Sequence, residues 1–241
     1  MGQAAAAALA QAGCSIFGVD INIPSEETKK LVEDAGASYH ECRYDIAAEM
    51  DHAAELIEKA AQVYGHIDYL VNVAGVSPVS DTIDQFDFAK DYDRVLDLNL
   101  NGQAHLDIEF SKYLIKQGTG GRILNWSSMS AHFAQAKGIG LGYSVAKCGI
   151  LGLTRSLAIA LREYGITVNA ISPAGVLTNF ARTGGYGDNT EELCKSWGVD
   201  IAKMRKPEDI MGMVVLLCSD AGSAFNGAEF VFDGGDSLIL Y

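Results

Sequence analysis

The chain has 241 residues, of which 49% are hydrophobic and 20% are charged, and its formal net charge is −13. This composition is typical of a soluble globular protein, and the length suits one large domain with a sizeable core. The negative charge argues against nucleic acids and anionic membrane surfaces as partners. Five dispersed cysteines without a CxxC pair favour reduced thiols in a cytoplasmic protein.

The first stretch, Gly2 to Ala12, is rich in alanine and predicts a helix that ends at Gly13. The first lysine is Lys29, so the opening lacks the basic region of a signal peptide. No uninterrupted apolar run reaches the roughly 18 residues that a membrane span needs. The sequence therefore predicts neither secretion nor membrane insertion.

Strands and helices are predicted in alternation along the rest of the chain. In chain order they are strand CSIFGVDI, helix SEETKKLVEDAG, strand SYHECRYDI, helix EMDHAAELIEKAAQVYG, strand IDYLVNVAG, a helix to about Phe110–Leu114, strand GRILNWSS, helix YSVAKCGILGLTRSLAIALREYG, strand ITVNAISP, helix PEDIMGMVVLLCSD and strand AEFVFDGG. The strands are apolar on both faces, which indicates a parallel sheet covered by helices on both sides. We expect a single α/β domain spanning residues 1–241, with three layers and a doubly wound sheet.

Ligands of a doubly wound sheet bind beyond the carboxyl ends of its strands. Gly2 could be the last glycine of a Gly-rich turn that holds a pyrophosphate at a helix N-terminus. Asp20 ends the next strand, at the spacing of a carboxylate that binds an adenosine ribose. The alternative is equally open: Gly2 follows the start residue by chance, and Asp20 is only a turn former.

Tyr143 and Lys147 are four residues apart at the start of a long predicted helix, so they share one face. A nearby cation stabilises a phenolate and lowers the pKa of the phenol, which makes tyrosine usable as an acid or base. Ser127 and Ser128 end the strand before this helix and point toward the same cleft. A Tyr-x-x-x-Lys pair also occurs by chance on many helices, but this context favours a catalytic site.

Six motifs in one order give the chain a resemblance to the short-chain dehydrogenase/reductase family over essentially its whole length. They are YDI (Tyr44 to Ile46), VNVAG (Val71 to Gly75), NLNG (Asn99 to Gly102), YSVAK (Tyr143 to Lys147), SPAGVLT (Ser172 to Thr178) and VFDGG (Val231 to Gly235). The resemblance implies a Rossmann-type fold and hydride transfer between a nicotinamide cofactor and a secondary alcohol or ketone. Tyr143 would be the acid/base, Lys147 would lower its pKa, and Asn99 would hold a water in a proton relay.

The resemblance also implies the binding residues. NAD would contact Gly2, Asp20, Ile21, Asp45, Ile46, Asn72, Ala74, Gly75, Tyr143, Lys147, Pro173, Val176 and Thr178. Asp20 would select NAD because a carboxylate repels the 2′-phosphate of NADP, and no Arg or Lys follows in DINIPS. The substrate would contact Ser130, His132 and Phe133, and the equally open alternative is that His132 and Phe133 lie in a solvent-exposed loop. The five histidines lack metal-ligand spacing, so no metal site is predicted.

Three departures from the family pattern affect these expectations. The family spacing of thirteen residues before Tyr143 selects Ser130 as the catalytic serine, whereas the strand end selects Ser128, which we prefer. Val73 replaces an amide that in the family ties neighbouring strands together. Met1 and Gly2 match only the end of the family's Gly-rich turn, so we expect the preceding strand and most of that turn to be missing from this chain.

These expectations leave two functions open. The first is an NAD-dependent alcohol dehydrogenase or ketone reductase (EC 1.1.1.-), a homotetramer or homodimer in the cytoplasm. The second is a non-catalytic protein of the same fold, whose cofactor binding is crippled by the incomplete turn. The Gly-rich segment from Asn179 to Met204 is expected to cover the substrate, and the alternative is a plain surface loop.

Overall fold

A computed structural model describes residues 1–77, 79–80, 82–134, 140–184 and 201–238. Its helices are α1 (Gly2–Gln11), α2 (Glu26–Asp34), α3 (Ala53–Tyr64), α4 (Arg94–Leu96), α5 (Gly102–Gln117), α6 (Leu141–Leu161) and α7 (Met211–Cys218). Its strands are β1 (Ile16–Asp20), β2 (Tyr39–Arg43), β3 (Tyr69–Asn72), β4 (Gly121–Trp126), β5 (Ile166–Pro173) and β6 (Glu229–Phe232). The alternation of strands and helices predicted from the sequence is confirmed. Most of the segment expected to cover the substrate, residues 185–200, lies outside the described residues.

The strands form two parallel sheets, β1-β2 and β3-β4-β5-β6. Among the described residues, no strand pairing joins one sheet to the other. Side chains connect them instead, since Ile16 of β1 and Val71 of β3 pack against the same apolar cluster. The fold is therefore a three-layer α/β/α arrangement in which β1-β2 adjoins the four-stranded sheet through side chains.

The register of the larger sheet places several strand ends at one edge. Asn72 of β3 lies opposite Asn125 of β4, and Trp126 of β4 lies opposite Ile171 of β5. Because the strands are parallel, the segments that follow them emerge on the same side of the sheet. This edge carries the serines after β4 and the proline that ends β5.

The core lies on both faces of the larger sheet because successive side chains of a strand point to opposite faces. Ile123 packs with α3, α5 and α6, whereas Leu124 packs with α1 and α7. Every residue of β5 is buried, as the apolar pattern predicted. β1 and β2 differ from that prediction, because their side chains are half-buried or exposed.

Among the described residues, the helix from Leu141 to Tyr164 has the length and mean hydropathy, 1.4, of a membrane span. This segment consists of α6 and the short turn that follows it. Its Leu157 and Leu161 pack in the core beside β5, and its first turns hold a buried lysine. We therefore interpret it as the central helix of the fold.

Candidate active site

The first turns of α6 carry Tyr143 and Lys147, both buried and one turn apart. Lys147 Nζ lies 5.5 Å from the centroid of the Tyr143 ring. Gly142 precedes the tyrosine, and a Cβ atom there would collide with the backbone carbonyl of Asp91. Direct backbone contact with the preceding helical segment therefore fixes where Tyr143 lies.

Burial dominates the acidity of Tyr143. It raises the pKa of the phenol to about 12, and a hydrogen bond with Ser128 lowers it by a smaller amount. The ring of Phe180 packs against the Tyr143 ring, with centroids 5.5 Å apart. Desolvation of the phenolate and the hydrogen bond with Ser128 account for this shift, and the lowering of the pKa by Lys147 stays a prediction.

Lys147 is subject to the same desolvation. Its side chain is buried, and its Nζ donates a hydrogen bond of 2.7 Å to the backbone carbonyl of Trp126. Burial lowers the pKa of Lys147 to about 7, because the ammonium ion is poorly solvated there. Near neutral pH the lysine is therefore charged in only part of the molecules. This limits how far it can stabilise a phenolate on Tyr143.

The structure separates the serines at the end of β4. Ser127 Oγ donates to the backbone carbonyl of Lys147 at 2.9 Å, so this hydroxyl faces the α6 backbone. Ser128 makes the hydrogen bond with Tyr143, and its Oγ also accepts the backbone N–H of Ser130 at 3.1 Å. The geometry thus brings Ser128 to the tyrosine and puts the Ser130 backbone behind it. The substrate contact of Ser130 stays a prediction.

Asn99 lies in a π-helical segment, Asp97–Asn101, between α4 and α5. Its amide Nδ2 donates to the backbone carbonyls of Val76 and Val95, and its Oδ1 accepts the Val76 N–H at 3.1 Å. A Cβ atom on Gly75 would lie only 2.7 Å from that Oδ1. The side chain of Asn99 thus fastens the segment after β3, and a water-holding role would fall to its backbone.

The adenosine end of the predicted cofactor site begins at β1. Asp20 ends this strand with an exposed carboxylate that accepts the Asn22 N–H at 2.8 Å, and Ile21 after it is 47% exposed. Arg43 of β2 lies opposite Asp20 in the parallel register, and its Nη1 is 3.4 Å from Glu49 Oε1. The sequence missed this arginine because it follows a different strand. The signal that could have found it is the pairing of two parallel strands, because Asp20 ends β1 and Arg43 ends β2, and such ends lie side by side.

The remaining residues expected at that end are shaped by local contacts. Gly2 is the first residue of α1, and a Cβ there would lie 3.8 Å from the Val73 side chain. Asp45 Oδ1 accepts the backbone N–H groups of Ala47 and Ala48 at 3.0 and 3.1 Å. Ile46 is buried, and its carbonyl leaves no room for a Cβ on Gly102. Cofactor contacts by Gly2, Asp45 and Ile46 stay predictions.

Asn72 has a structural partner that the sequence did not predict. Its Nδ2 donates to Asp107 Oδ1 at 2.6 Å and to Asn125 Oδ1 at 3.0 Å, with all three side chains buried. The amide that ties neighbouring strands is thus Asn72, whereas Val73 packs among apolar side chains. The expected loss of a strand tie at Val73 stays a prediction. The backbone carbonyl of Ala74 accepts Gln103 Nε2 at 2.7 Å.

The segment after β5 carries the residues expected at the nicotinamide end. Pro173 ends the strand, and Val176 forms an isolated parallel bridge with Arg205. Thr178 Oγ1 accepts the backbone N–H of Phe180 at 3.3 Å. This turn directs the Phe180 ring toward Tyr143. No local pattern in the sequence predicts that contact.

His132 and Phe133 lie in the turn after Ser128, but they have different surroundings. His132 Nε2 is 2.6 Å from Glu229 Oε1 on β6. The Phe133 ring is exposed and lies 6.4 Å from the His132 ring. The sequence assigned both to substrate contact and missed Glu229, which lies 97 residues along the chain from His132.

The residues at the two ends of the site can be compared with what a nicotinamide dinucleotide requires. Asp20 offers an exposed carboxylate at a strand end, which fits a ribose with adjacent hydroxyl groups. At the other end, Tyr143 and Lys147 lie beside the segment that follows β5. Each end thus offers polar groups that can hydrogen-bond a dinucleotide, so the residues present fit the group.

Comparisons with known proteins show what the whole chain is similar to. A family model described as enoyl-(acyl carrier protein) reductase matches residues 1–237. The chain is 33% identical to 2-dehydro-3-deoxy-D-gluconate 5-dehydrogenase of Escherichia coli, covering 98% of this chain and 90% of the relative. It is 32% identical to D-threitol dehydrogenase of Mycolicibacterium smegmatis, covering 99% of this chain and 89% of the relative.

A solved structure extends the likeness to three dimensions. The structure of NAD⁺-bound xylitol dehydrogenase superimposes with a TM-score of 0.83 and is 26% identical in sequence. The match covers 97% of this chain and 94% of that one. The likeness therefore extends over the whole domain.

Proposed function

The chain belongs to the short-chain dehydrogenase/reductase family, and from that premise we propose an NAD-dependent enzyme that interconverts a secondary alcohol and a ketone. That it is an oxidoreductase using a nicotinamide cofactor follows from the family. The observation that carries the finer proposal is the grouping of buried Tyr143 and Lys147 with partly buried Ser128 beside the carboxyl end of β4.

Tyr143 is the proposed acid/base. With a pKa of about 12 it holds its proton at neutral pH, so it is suited to protonate the oxygen of a ketone. Ser128 would donate a hydrogen bond to the same oxygen as negative charge develops on it. A bound nicotinamide cofactor would accept the hydride in alcohol oxidation and donate it in ketone reduction. In alcohol oxidation Tyr143 must first lose its proton, so we expect that direction to be faster at higher pH.

The proposed preference for NAD rests on Asp20. A carboxylate there accepts hydrogen bonds from ribose hydroxyls and repels a 2′-phosphate. Arg43 acts in the opposite sense, but its guanidinium is close to Glu49, which compensates part of its charge. We therefore propose that the protein binds NAD more tightly than NADP, and that the difference in affinity is smaller than Asp20 alone would produce.

The proposed substrates are secondary alcohols, and polyols and sugar acids are the first to test. Relatives with about a third of their residues identical are named for a dehydrogenated gluconate and for threitol. A similar solved structure is named for xylitol. These names support the substrate proposal. The grouping of Tyr143, Ser128 and Lys147 supports it too, because the proposed chemistry requires of a substrate only a carbon that bears a hydroxyl or a carbonyl oxygen.

We further propose a cytoplasmic homotetramer, or a homodimer, with neither nucleic acid nor membrane as a partner. Apolar side chains exposed on α5 and α6 support an assembly through these helices, because such groups favour burial. They are Ile108 and Ile115 on α5 and Val145 and Ile159 on α6.

The experiment that tests the cofactor proposal is a fluorescence titration of the purified chain with NADH, with NADPH as the control. Tight NADH binding and weaker NADPH binding are expected. The bound chain is then screened with xylitol, threitol and gluconate, following NADH formation. Failure to bind either cofactor would contradict the proposal and favour a non-catalytic protein of this fold.

A further inference from the structure

We propose that Glu229 is a positioning residue that holds the turn carrying Ser128, acting through His132. This inference rests on the proposed function, because it concerns the proposed catalytic serine. Glu229 lies on β6, on the far side of β5 from β4, the strand after which Ser127 and Ser128 follow. Its effect on Ser128 therefore depends on a contact between distant parts of the chain.

The Glu229 side chain is 18% exposed and has two polar partners. Ser172 Oγ of β5 donates to Glu229 Oε1 at 2.5 Å, and His132 Nε2 lies 2.6 Å from the same oxygen. A carboxylate only accepts hydrogen bonds, so His132 must carry a proton on Nε2. A carboxylate with this little exposure is costly without such donors, so both contacts are favoured.

The turn between Ser128 and His132 is held together by hydrogen bonds of its own. The Ala131 N–H bonds the Ser128 carbonyl, and the His132 N–H bonds the Met129 carbonyl, both at 2.9 Å. Ser128 Oγ accepts the Ser130 N–H, so the serine side chain belongs to this short 3₁₀ turn. A displacement of His132 would therefore be transmitted to Ser128.

The turn is attached to the rest of the fold at both ends. Before it, the Ser127 N–H bonds the Ile171 carbonyl of β5 at 2.8 Å. After it, Cys148 Sγ lies 3.0 Å from the Ala131 carbonyl, and Glu229 holds His132. A thiol is a weak donor, so the contact with the partly buried carboxylate is the stronger attachment at this end. Glu229 thereby sets the orientation of the hydroxyl that meets Tyr143.

The test compares Glu229→Ala, Glu229→Gln and Ser172→Ala with the wild-type chain. Amide hydrogen exchange of residues 127–133 is measured by mass spectrometry, together with NADH affinity and turnover of the alcohol found by screening. Glu229→Ala should speed exchange in this peptide by about tenfold, because its closing contact is lost. Glu229→Gln keeps an acceptor oxygen for both partners and should restore slow exchange.

Ser172→Ala is the matched control, because it removes the other partner of Glu229 without touching the turn. It should lower thermal stability and leave exchange of residues 127–133 at the wild-type rate. Turnover should fall about tenfold in Glu229→Ala at unchanged NADH affinity, since misplacing a catalytic group costs rate rather than cofactor binding.

Two outcomes would overturn the inference. One is unchanged exchange of residues 127–133 in Glu229→Ala, and the other is faster exchange with wild-type turnover. A wild-type chain that binds NADH but oxidises none of the alcohols would instead contradict the proposed function. In that case the exchange rates alone decide whether Glu229 holds the turn.

Discussion

Tyr143 and Lys147 have pKa values shifted in opposite directions for one physical reason. Burial disfavours the charged form of each group, so the phenol becomes a weaker acid and the ammonium a stronger one. The neutral phenol is thus the resting form near pH 7. A proton donor is what ketone reduction requires, whereas alcohol oxidation requires Tyr143 to lose that proton.

Phe180 contributes to this burial, which leads to a prediction. Phe180→Ala should admit water to Tyr143, lower its pKa and move the pH profile of alcohol oxidation toward lower pH by about one unit. The measurement is kcat/KM for oxidation between about pH 7 and pH 10, below the pKa of about 12, where a shift of one unit appears as a roughly tenfold higher value at each pH. Phe225→Ala is the control, since this ring packs on Phe230 instead. An unshifted profile for Phe180→Ala would show that another group excludes the water.

Asp20 and Arg43 lead to a second prediction, on cofactor choice. Asp20→Ser removes the carboxylate that repels a 2′-phosphate and leaves Arg43 opposite that position. NADPH affinity should rise about tenfold or more, because one repulsive charge is lost and one attractive charge remains. Fluorescence titration with both cofactors measures this. Adding Arg43→Ala should cancel the gain, and a gain that survives would place the phosphate elsewhere.

The residues predicted from the sequence are those whose signal is local. Tyr143, Lys147 and Ser128 follow from helix spacing and from a strand end, and the structure brings them together. Phe180, Glu229 and Arg43 were missed because each reaches the site from a distant segment. Spacing along the chain carries no information about such contacts, whereas the register of two strands does.

At the scale of elements, the position of α6, the helix that carries Tyr143, depends on Gly142. Its surroundings differ from those of Gly212 in α7. Gly142 of α6 is pressed against the Asp91 carbonyl, whereas a Cβ atom on Gly212 of α7 would have nothing within 4 Å. A methyl group therefore has opposite consequences at these positions. Comparing the two positions therefore separates the effect of the close backbone contact at Gly142 from the general preference of alanine for helix.

Gly142→Ala should displace the first turn of α6, lower the free energy of unfolding by about 1–3 kcal/mol and lower kcat. Gly212→Ala should raise the free energy of unfolding by up to about 1 kcal/mol, because alanine favours helix, and leave kcat unchanged. Urea unfolding and steady-state kinetics measure both. Equal stability of the two variants would mean that the contact of Gly142 with Asp91 does not constrain α6.

Helix ends were predictable because they depend on glycine. Gly13 and Gly65 have φ of +95° and +81°, a backbone conformation that other residues rarely adopt, and each follows a predicted helix. The separation of β1-β2 from the larger sheet, unlike the helix ends, could not be predicted from the sequence. It depends on which strands lie side by side, which apolar patterning does not encode.

At the scale of the molecule, a buried polar network links α5 and α6 to the strands β3 and β4. Asp107 of α5 accepts amide protons from Asn72 of β3 and Asn125 of β4, at 2.6 and 2.8 Å. Asn125 also contacts Thr154 of α6 at 3.3 Å. Burial raises the pKa of Asp107 to about 7, and the two amide donors oppose this rise. Folding therefore favours the protonated form of this carboxyl.

Asp107 should make stability depend on pH. Its pKa is about 7 when folded against a reference of 3.8, so its stabilising effect is complete below pH 3.8 and is lost as pH rises through 7. The loss amounts to at most about 4 kcal/mol. Asp107→Asn removes this titration but places an amide donor against Asn72 or Asn125, so it is less stable overall. Urea unfolding from pH 4 to 8 should show a smaller fall for the variant, and equal slopes would contradict the assignment.

The most direct test of the account is turnover by the wild-type chain and by Tyr143→Phe, measured as NADH formation from polyols and sugar acids. The wild type should turn over at least one of these alcohols. The variant should lose at least about a hundredfold in kcat while binding NADH as before, because only the phenolic hydroxyl that transfers the proton is removed. A Tyr143→Phe variant that keeps wild-type turnover would contradict Tyr143 as the acid/base.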